Sequence, residues 1–255
     1  MSSFNEKLKQ ISLKEIICLL IILLILNLIL NMLNVVHIGL VGVNVLMTLY
    51  ILYRIGDLSG LKSDIADAFS KETLKLVLVV VFLNIFFSYG MLYLSNLILL
   101  HFPDLGFLVH GSIPPIYLGY SIAGGFLATV VISPIFEELF FRGILLNKLN
   151  SIVPVTFSIL ITSLLFASMH TFGSIISAFI FAICMAILYI KTDNIVVAIL
   201  AHFLNNLFAE SIVNLDVNNI LFTNEGVMIL VSVLAVVSAI LLMSSIVKEL
   251  NNIKY

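Results

Sequence analysis

Charged side chains are scarce in this chain. Lysine, arginine, aspartate and glutamate make up 10% of the 255 residues, against about 25% in an ordinary soluble domain, and hydrophobic residues make up 62%. The net charge is −2 and the basic residues form no patch, so nothing indicates a nucleic-acid partner. This composition excludes an ordinary soluble domain and indicates an integral membrane protein.

Cysteine is almost absent. Cys18 and Cys184 lie in separate apolar runs, without the close spacing of metal-binding cysteines, so neither a disulfide framework nor a zinc–thiolate site is indicated. The sequence also lacks a His-Glu-x-x-His motif, which excludes the familiar zincin geometry. It contains no linker, low-complexity stretch or repeat that would mark a second domain. We therefore expect residues 1–255 to form a single membrane domain.

Long apolar runs divide the chain into candidate membrane spans, judged against the roughly 20 residues that a helix needs to cross a bilayer. There are eight such runs, at 16–36, 38–53, 76–100, 119–147, 152–170, 173–190, 194–209 and 226–247. No cleavage site follows the first run, so we interpret it as a retained helix and not as a signal peptide. The sequence thus predicts an all-α, polytopic membrane helix bundle of about eight transmembrane spans.

The basic residues indicate how the spans are oriented. With both termini in the cytoplasm, every lysine and arginine except Arg142 falls in a cytoplasmic segment, and the outer loops carry acidic residues only. The cytoplasmic segments are then 1–15, 54–75, 148–151, 191–193 and 248–255. This is the positive-inside pattern. We expect a multi-pass protein of a bacterial cytoplasmic membrane, with an even number of spans.

Three charged residues, Glu137, Glu138 and Arg142, interrupt the fourth apolar run. Each ionised group near the centre of a membrane helix costs at least about 2.5–3.5 kcal/mol, so such groups pair, face a wet cavity or carry chemistry. Glu138 and Arg142 stand four residues apart on one helical face, in the order that favours an ion pair. Glu137 points about 100° away. The spacing predicts that Glu138 neutralises Arg142 and leaves Glu137 free to face other helices.

Two later spans add histidine and asparagine. His202 and Asn206 share one face of the seventh run, and His170 ends the fifth. At a rise of about 1.5 Å per residue, Glu137 and His202 lie about 16 Å and 14 Å from the inner boundary, and Asn206 about 20 Å. His170 comes out at about 28 Å, two turns too high. A tilted fifth span, or one that starts later because of Pro154, would lower it.

Pro134 lies three residues before Glu137. It has no main-chain N–H and crowds the carbonyl of Val130, so it predicts a kink or a hydrated break in the fourth span. Such a break would admit water close to Glu137, as a hydrolytic site requires.

These residues resemble the signature motifs of a protease family. The motifs are Glu137-Glu138-x-x-Phe141-Arg142-Gly143, Phe166-x-x-x-His170 and His202-x-x-x-Asn206. In order and in residue types they are similar to those of the CAAX protease and bacteriocin-processing family, also called the Abi family. The resemblance lies within a motif-bearing core of approximately 119–210 and does not extend to the first third of the chain.

The resemblance implies a helical bundle that encloses a polar intramembrane cavity, with intramembrane endopeptidase activity. Glu137 would be the base that activates water, and His170 would help to hold that water or a metal. His202 and Asn206 would be further ligands or an oxyanion-stabilising pair.

The resemblance also implies supporting residues. Arg142, with Glu138, would hold the first motif in place, and Phe166 would pack beside the site. The cofactor is left open: the enzyme would be a metalloendopeptidase if Zn²⁺ or another divalent metal bound the catalytic residues, and a metal-free glutamate enzyme otherwise. The metal ligands would then be Glu137, His170, His202 and Asn206. Two histidines and a carboxylate with an open position are a ligand set that catalytic zinc uses.

Other functions are compatible with these residues. A non-proteolytic membrane regulator or a bacteriocin self-immunity factor could keep the same fold. A small transporter could use buried glutamate, histidine and arginine as a proton relay, but paired half-repeats with broken helices are missing. For an enzyme with short outer loops and a site inside the bilayer, we expect a short hydrophobic or membrane-embedded peptide as substrate, such as a CAAX-type peptide, a leader or a bacteriocin.

Overall fold

The computed structural model describes residues 3–33, 39–102, 104 and 122–253, and these residues form helices and turns with no β-strand among them. The first part of the chain forms α1 (Ser3–Gln10), α2 (Leu13–Met32), α3 (Gly39–Ile55), α4 (Leu61–Ala68) and α5 (Lys71–His101). The expected span boundaries at 36, 38 and 119, and most of the outer loop 101–118, lie outside the described residues.

Helix α6 carries the two glutamates and passes without a break through five segments. These are Ile122–Leu127, Ala128–Ile132, Ser133–Glu138, Leu139–Leu146 and Asn147–Asn150, of which the second and fourth are wide π-helical turns. The remaining elements are α7 (Val155–Ala167), a short 3₁₀ turn (Phe172–Ser174), α8 (Ile175–Thr192), α9 (Ile195–Leu215), α10 (Ile220–Thr223) and α11 (Glu225–Asn252).

Each of the eight apolar runs corresponds to a helix. Within the described residues, five helices are long and apolar enough to cross a membrane, namely α2, α5, α8, α9 and α11, whereas α3 and α7 are shorter apolar helices. The predicted fold class is therefore confirmed: the chain is a polytopic, all-α membrane bundle. In the mixed-charge segment 54–75, the structure has the short helix α4 and the start of α5.

The core of the bundle lies around α8. The apolar stretch of α8 is 67% buried, whereas the corresponding stretches of the other four long helices are between 6% and 33% buried. Large apolar side chains cover the periphery, for example Ile22 and Leu28 on α2 and Ile229 and Ile240 on α11. Exposed apolar surface on this scale marks a lipid-facing or partner-facing protein. In a chain of this composition it fits a bilayer.

The segments predicted to be cytoplasmic meet at one end of the bundle. Lys7 forms an ion pair with Asp57 at 2.8 Å, and Lys148 donates to the carbonyl of Lys9 at 2.8 Å. Two further ion pairs at this end are Lys9–Asp193 and Lys191–Glu249. Exposed pairs of this kind contribute little to stability, but they show that the five segments share one side. Which side of the membrane it is stays a prediction.

Helix α1 packs beneath the helix that carries the glutamates. Leu8 is fully buried, and a Cβ placed on Gly143 would lie 3.3 Å from its Cδ1. The glycine of the first motif thus allows α1 to approach α6 closely. Asn5 of α1 is also fully buried and is hydrogen-bonded to the carbonyl of Asp193 and the N–H of Ile195. These bonds join α1 to the turn between α8 and α9.

Candidate active site

The Glu138–Arg142 pair is buried and bonded as predicted. Oε1 of Glu138 lies 2.9 Å from Nη1 of Arg142, and both side chains are almost completely inaccessible. Arg142 also donates from Nη2 to the carbonyl of Ala182 at 2.9 Å, and its guanidinium lies 4.9 Å from the ring centroid of Phe166. A buried ion pair needs such additional partners to offset its desolvation. The pair thereby ties α6 to α7 and α8.

Glu138 has a second partner that the spacing does not predict. Nδ1 of His202 lies 2.7 Å from the same Oε1 atom. Because a carboxylate paired with Arg142 can only accept hydrogen bonds, Nδ1 of His202 must be the donor. In the neutral imidazole the lone pair is then on Nε2. Glu138 therefore sets the tautomer of His202.

Nε2 of His202 faces the other glutamate. It lies 3.8 Å from Oε2 of Glu137, whose side chain is 21% exposed and so is less enclosed than Glu138. A carboxylate oxygen and a bare imidazole nitrogen are both acceptors, so a proton on either group, or a donor or cation between them, would stabilise this approach. One water molecule can donate to both.

Aromatic rings hold His202 in place. The ring centroids of Phe166 and Phe181 lie 5.8 Å and 5.4 Å from that of His202, both in edge-on arrangements. Such T-shaped contacts are favourable for π systems. They fix the plane of the imidazole, and His202 is only 4% exposed.

His170 lies in the same region although the depth count placed it too high. Helix α7 begins only at Val155, directly after Pro154, and already ends at Ala167. The later start is the one that Pro154 suggested. The ring centroid of Phe166 lies 4.8 Å from that of His170 and 5.8 Å from that of His202, so the two histidines lie in one region. Nδ1 of His170 lies 3.1 Å from the carbonyl of Phe166, and since a carbonyl can only accept, the neutral ring carries its lone pair on Nε2.

Asn206 is held by a carbonyl of α6. In the wide turn at Ala128–Ile132, the N–H of Ser133 bonds to the carbonyl of Ala128, and Pro134 has no N–H. The carbonyl of Thr129 thus lacks the donors at 133 and 134, and it accepts from Nδ2 of Asn206 at 2.9 Å. The disturbance expected from Pro134 is present as this wide turn. The hydrogen bond between Asn206 and Thr129 connects α9 to α6.

A polar cavity of about 160 Å³ lies between α5, α7, α8 and α9. Phe166, His170, His202 and Asn206, all identified from the motifs, contribute to its wall. Glu137, on α6, lies 3.8 Å from Nε2 of His202, which lines the cavity. Glu138 contacts Nδ1 of the same ring and pairs with Arg142. The structure therefore brings all seven predicted residues into one region.

Asn84 of α5 is a polar residue of the cavity wall that the motifs missed. It is 4% exposed, and its Nδ2 donates to Oδ1 of Asn205 at 2.9 Å. Asn205 in turn donates to Oδ1 of Asn206 at 3.2 Å. The only signal in the sequence is an amide side chain within an apolar run. The bond between Asn84 and Asn205 links α5 to α9.

The donor types suit a metal better than their arrangement does. Two imidazoles with a bare Nε2 and a carboxylate are zinc ligands, and the Nδ1–carboxylate contact of His202 is one that metal-bound histidines usually make. Within the described ranges, however, no three histidine, cysteine, aspartate or glutamate side chains converge at metal-binding distance. Glu137 and His202 are the two donors that approach each other, so the metal stays a prediction.

Comparison with known proteins supports the motif assignment. Residues 119–208 match the family model described as type II CAAX prenyl endopeptidase Rce1-like. No match was found among curated proteins or solved structures. The matched stretch is about a third of the chain, and it contains all three motifs and helices α6 to α8. The resemblance to the CAAX protease and bacteriocin-processing family is confirmed for this stretch.

Proposed function

We propose that this protein is an intramembrane endopeptidase that hydrolyses a peptide bond of a short hydrophobic or membrane-associated peptide. The observation that carries the proposal is the approach of two acceptors, Oε2 of Glu137 and Nε2 of His202, to 3.8 Å beside a polar cavity. A water molecule that donates one O–H to each would be positioned and next to a base. Peptide hydrolysis requires both conditions.

In the proposed reaction, Glu137 takes a proton from the water while the water oxygen bonds to the carbonyl carbon of the substrate. The carbonyl electron pair moves to its oxygen, which becomes an oxyanion. Asn206 donates to this oxyanion, because its Nδ2 carries two hydrogens and only one is used by Thr129. Glu137 then gives the proton to the amide nitrogen as the C–N bond breaks.

The other motif residues would keep this arrangement in place. Glu138, neutralised by Arg142, holds Nδ1–H of His202 and so keeps the lone pair on Nε2. His170 lines the same cavity with its own Nε2 lone pair, and it is the second imidazole that could orient the water or the leaving amine. Each of these contacts restricts a group that touches the reacting atoms.

A metal-dependent version of the proposal uses the same residues. Zn²⁺ or another divalent cation would be held by Glu137 and His202, with His170 and Asn206 as the remaining ligands, and it would acidify the attacking water. The donor chemistry supports this version. Glu137 lies 3.8 Å from His202, and His170 and Asn206 line the same cavity as His202, so metal removal is the test between the two versions.

The size and position of the site support the proposed substrate class. A cavity of about 160 Å³ among membrane helices is too small and too enclosed for a folded protein domain. An extended segment that is anchored in the bilayer could reach it. CAAX-type prenylated peptides, named in the description of the matching family, are the first candidates, followed by leader and bacteriocin-like peptides.

The test compares two glutamate variants in the purified protein. The probes are two peptides with a fluorophore and a quencher at their ends: a prenylated peptide ending in Cys-a-a-X and a hydrophobic leader-like peptide. We expect cleavage by the wild type and none by Glu137→Gln. Glu225→Gln, at the exposed start of α11, is the matched control and should cleave normally.

The same variants distinguish the enzyme from a membrane regulator in cells. Cells with Glu137→Gln should accumulate an uncleaved membrane-associated peptide that cells with the wild type or Glu225→Gln lack. Full turnover by a folded Glu137→Gln protein would contradict the proteolytic proposal. Normal regulation by that variant, with no peptide changed, would favour the regulator or self-immunity function.

A further inference from the structure

Asn84 lies outside the stretch that matches the protease family, yet it belongs to the wall of the cavity. It is on α5, in the third apolar run, whereas the family match begins at residue 119. Its side chain is almost completely buried beside His202 and Asn205. A buried amide normally has its donors and acceptor paired. The hydrogen bonds that Asn84 makes, and the one that it lacks, therefore indicate what it can bind.

The direction of the asparagine chain is fixed by one main-chain carbonyl. Since the carbonyl of Thr129 can only accept, Asn206 must direct its NH₂ group to it. Oδ1 of Asn206 then faces the NH₂ group of Asn205, and Oδ1 of Asn205 faces the NH₂ group of Asn84. If any one of the three amides were turned by 180°, two oxygens or two NH₂ groups would face each other. The hydrogen-bond network therefore assigns the three orientations.

The chain of amides leaves an acceptor at its α5 end. Oδ1 of Asn84 is buried and makes no hydrogen bond with any residue in the described part of the chain. At the other end, Asn206 has a second N–H that Thr129 does not use. The network thus offers a donor at one end and an acceptor at the other, beside one cavity. An extended peptide presents the complementary groups, a carbonyl and an N–H, along its main chain.

We infer that Asn84 is a substrate-binding residue whose Oδ1 accepts a hydrogen bond from a main-chain N–H of the bound peptide. The inference rests on the proposed function. A peptide that enters a cavity within the bilayer leaves water, and each N–H it brings requires a protein acceptor. An amide oxygen meets that need without adding a charge. Because it binds the main chain, this contact would position the peptide without selecting its side chains.

The experiment measures binding separately from cleavage. Full-length Glu137→Gln protein is titrated with the labelled prenylated peptide, and with versions in which each main-chain nitrogen in turn is methylated. Methylation removes one N–H and keeps the carbonyl. We expect one position at which methylation weakens binding about 3-fold to 10-fold, the range of a single neutral hydrogen bond. Asn84→Ala in the same background should weaken binding of the unmodified peptide by a similar factor.

The decisive result is the coupling between the two changes. In Asn84→Ala the methylation at that position should have no further effect. Ser88→Ala is the matched control, because it removes another polar side chain of α5 from the same cavity wall and leaves the asparagine chain intact, so the methylation effect should persist. Asn84→Asp, which keeps an acceptor at this place, should also retain the effect. Thermal unfolding of each variant identifies any that is not folded.

The outcomes separate this inference from the proposed function. If methylation weakens binding equally with and without Asn84, the inference is wrong, even if the wild type cleaves the peptide. If the wild type binds the peptide with this coupling but never cleaves it, the inference stands and the endopeptidase proposal fails. If the folded protein binds none of the probes, both are overturned.

Discussion

Nδ1 of His202 lies 2.7 Å from Oε1 of Glu138, the oxygen that also lies 2.9 Å from Nη1 of Arg142. One carboxylate oxygen therefore neutralises a buried guanidinium and sets the proton position on an imidazole. Both roles require Glu138 to be ionised, because a protonated carboxyl group would accept hydrogen bonds from Arg142 and His202 less well than a carboxylate does. Glu138 acts on the candidate site through His202, while Glu137 faces the other nitrogen of the same ring.

The two adjacent glutamates should differ in their effect on stability. Glu138→Ala leaves the guanidinium of Arg142 buried without its counter-charge, so we expect the free energy of unfolding to fall by about 3–5 kcal/mol. Glu137→Ala removes a partly exposed side chain and should change stability much less while abolishing cleavage. Thermal unfolding in detergent and the quenched-peptide assay measure the two effects.

The double variant Glu138→Ala/Arg142→Ala is the control for this prediction. Removing both charges leaves neither unpaired, so the double variant should lose less stability than the sum of the two single variants. Additive losses, or equal stability of Glu137→Ala and Glu138→Ala, would contradict the assigned division between the two glutamates.

Contacts set by the local helix could be predicted from the sequence. The Glu138–Arg142 pair follows from a spacing of four residues, and the apolar runs identify the membrane helices because their length and composition suffice. The depth of His170 in the membrane was harder to predict, because it depends on the residue at which α7 begins. Pro154 suggested a late start, but only the structure gives Val155 as the first residue.

Contacts between distant helices could not be predicted. His202 and Glu138 are 64 residues apart and meet because of how α9 packs on α6. Asn84 and Asn205 are 121 residues apart. No periodicity in a single run indicates which helix will face it, and one asparagine in an apolar run is as consistent with helix packing as with a site. The orientation of the Asn206 amide required the position of a main-chain carbonyl.

Pro134 should be necessary for the position of Asn206. In Pro134→Ala a new main-chain N–H could bond to the carbonyl of Thr129 or Val130 and narrow the wide turn. Asn206 would then lose its acceptor, and a displaced oxyanion donor can cost up to about 100-fold in rate. We expect a lower kcat and unchanged or higher thermal stability. An unchanged kcat in a folded Pro134→Ala protein would show that Asn206 is held by other contacts.

The contact between α5 and α11 should depend on one glycine. A Cβ placed on Gly90 would overlap the Cβ of Ala235, so Gly90→Ala should lower stability by about 1–3 kcal/mol, as overpacking does. Ala235→Gly should rescue it, because the double variant exchanges the two side chains across the interface and keeps one alanine and one glycine in the pair of helices. Thermal unfolding tests the rescue; similar losses in Gly90→Ala and the double variant would argue against this contact.

The ends of the bundle provide a test of topology. In a protein with Cys18→Ala and Cys184→Ala, single cysteines replace the exposed residues Ser151, Asn251 and Asn218. Ser151 and Asn251 belong to segments predicted to be cytoplasmic, so an impermeant thiol reagent should label them only in opened cells. Asn218 belongs to an outer loop and should be labelled in intact cells. The reverse pattern would invert the predicted orientation.

Metal removal distinguishes the two versions of the proposed reaction. Among the described residues, no three histidine, cysteine, aspartate or glutamate side chains converge at metal-binding distance, whereas a catalytic zinc ion usually has three protein ligands. We therefore expect that prolonged dialysis against EDTA leaves the rate of peptide cleavage unchanged. Elemental analysis of the dialysed protein should show less than one metal ion per chain. Loss of cleavage on dialysis, with recovery on adding one equivalent of Zn²⁺ to the wild type but not to Glu137→Gln, would favour the metal-dependent version.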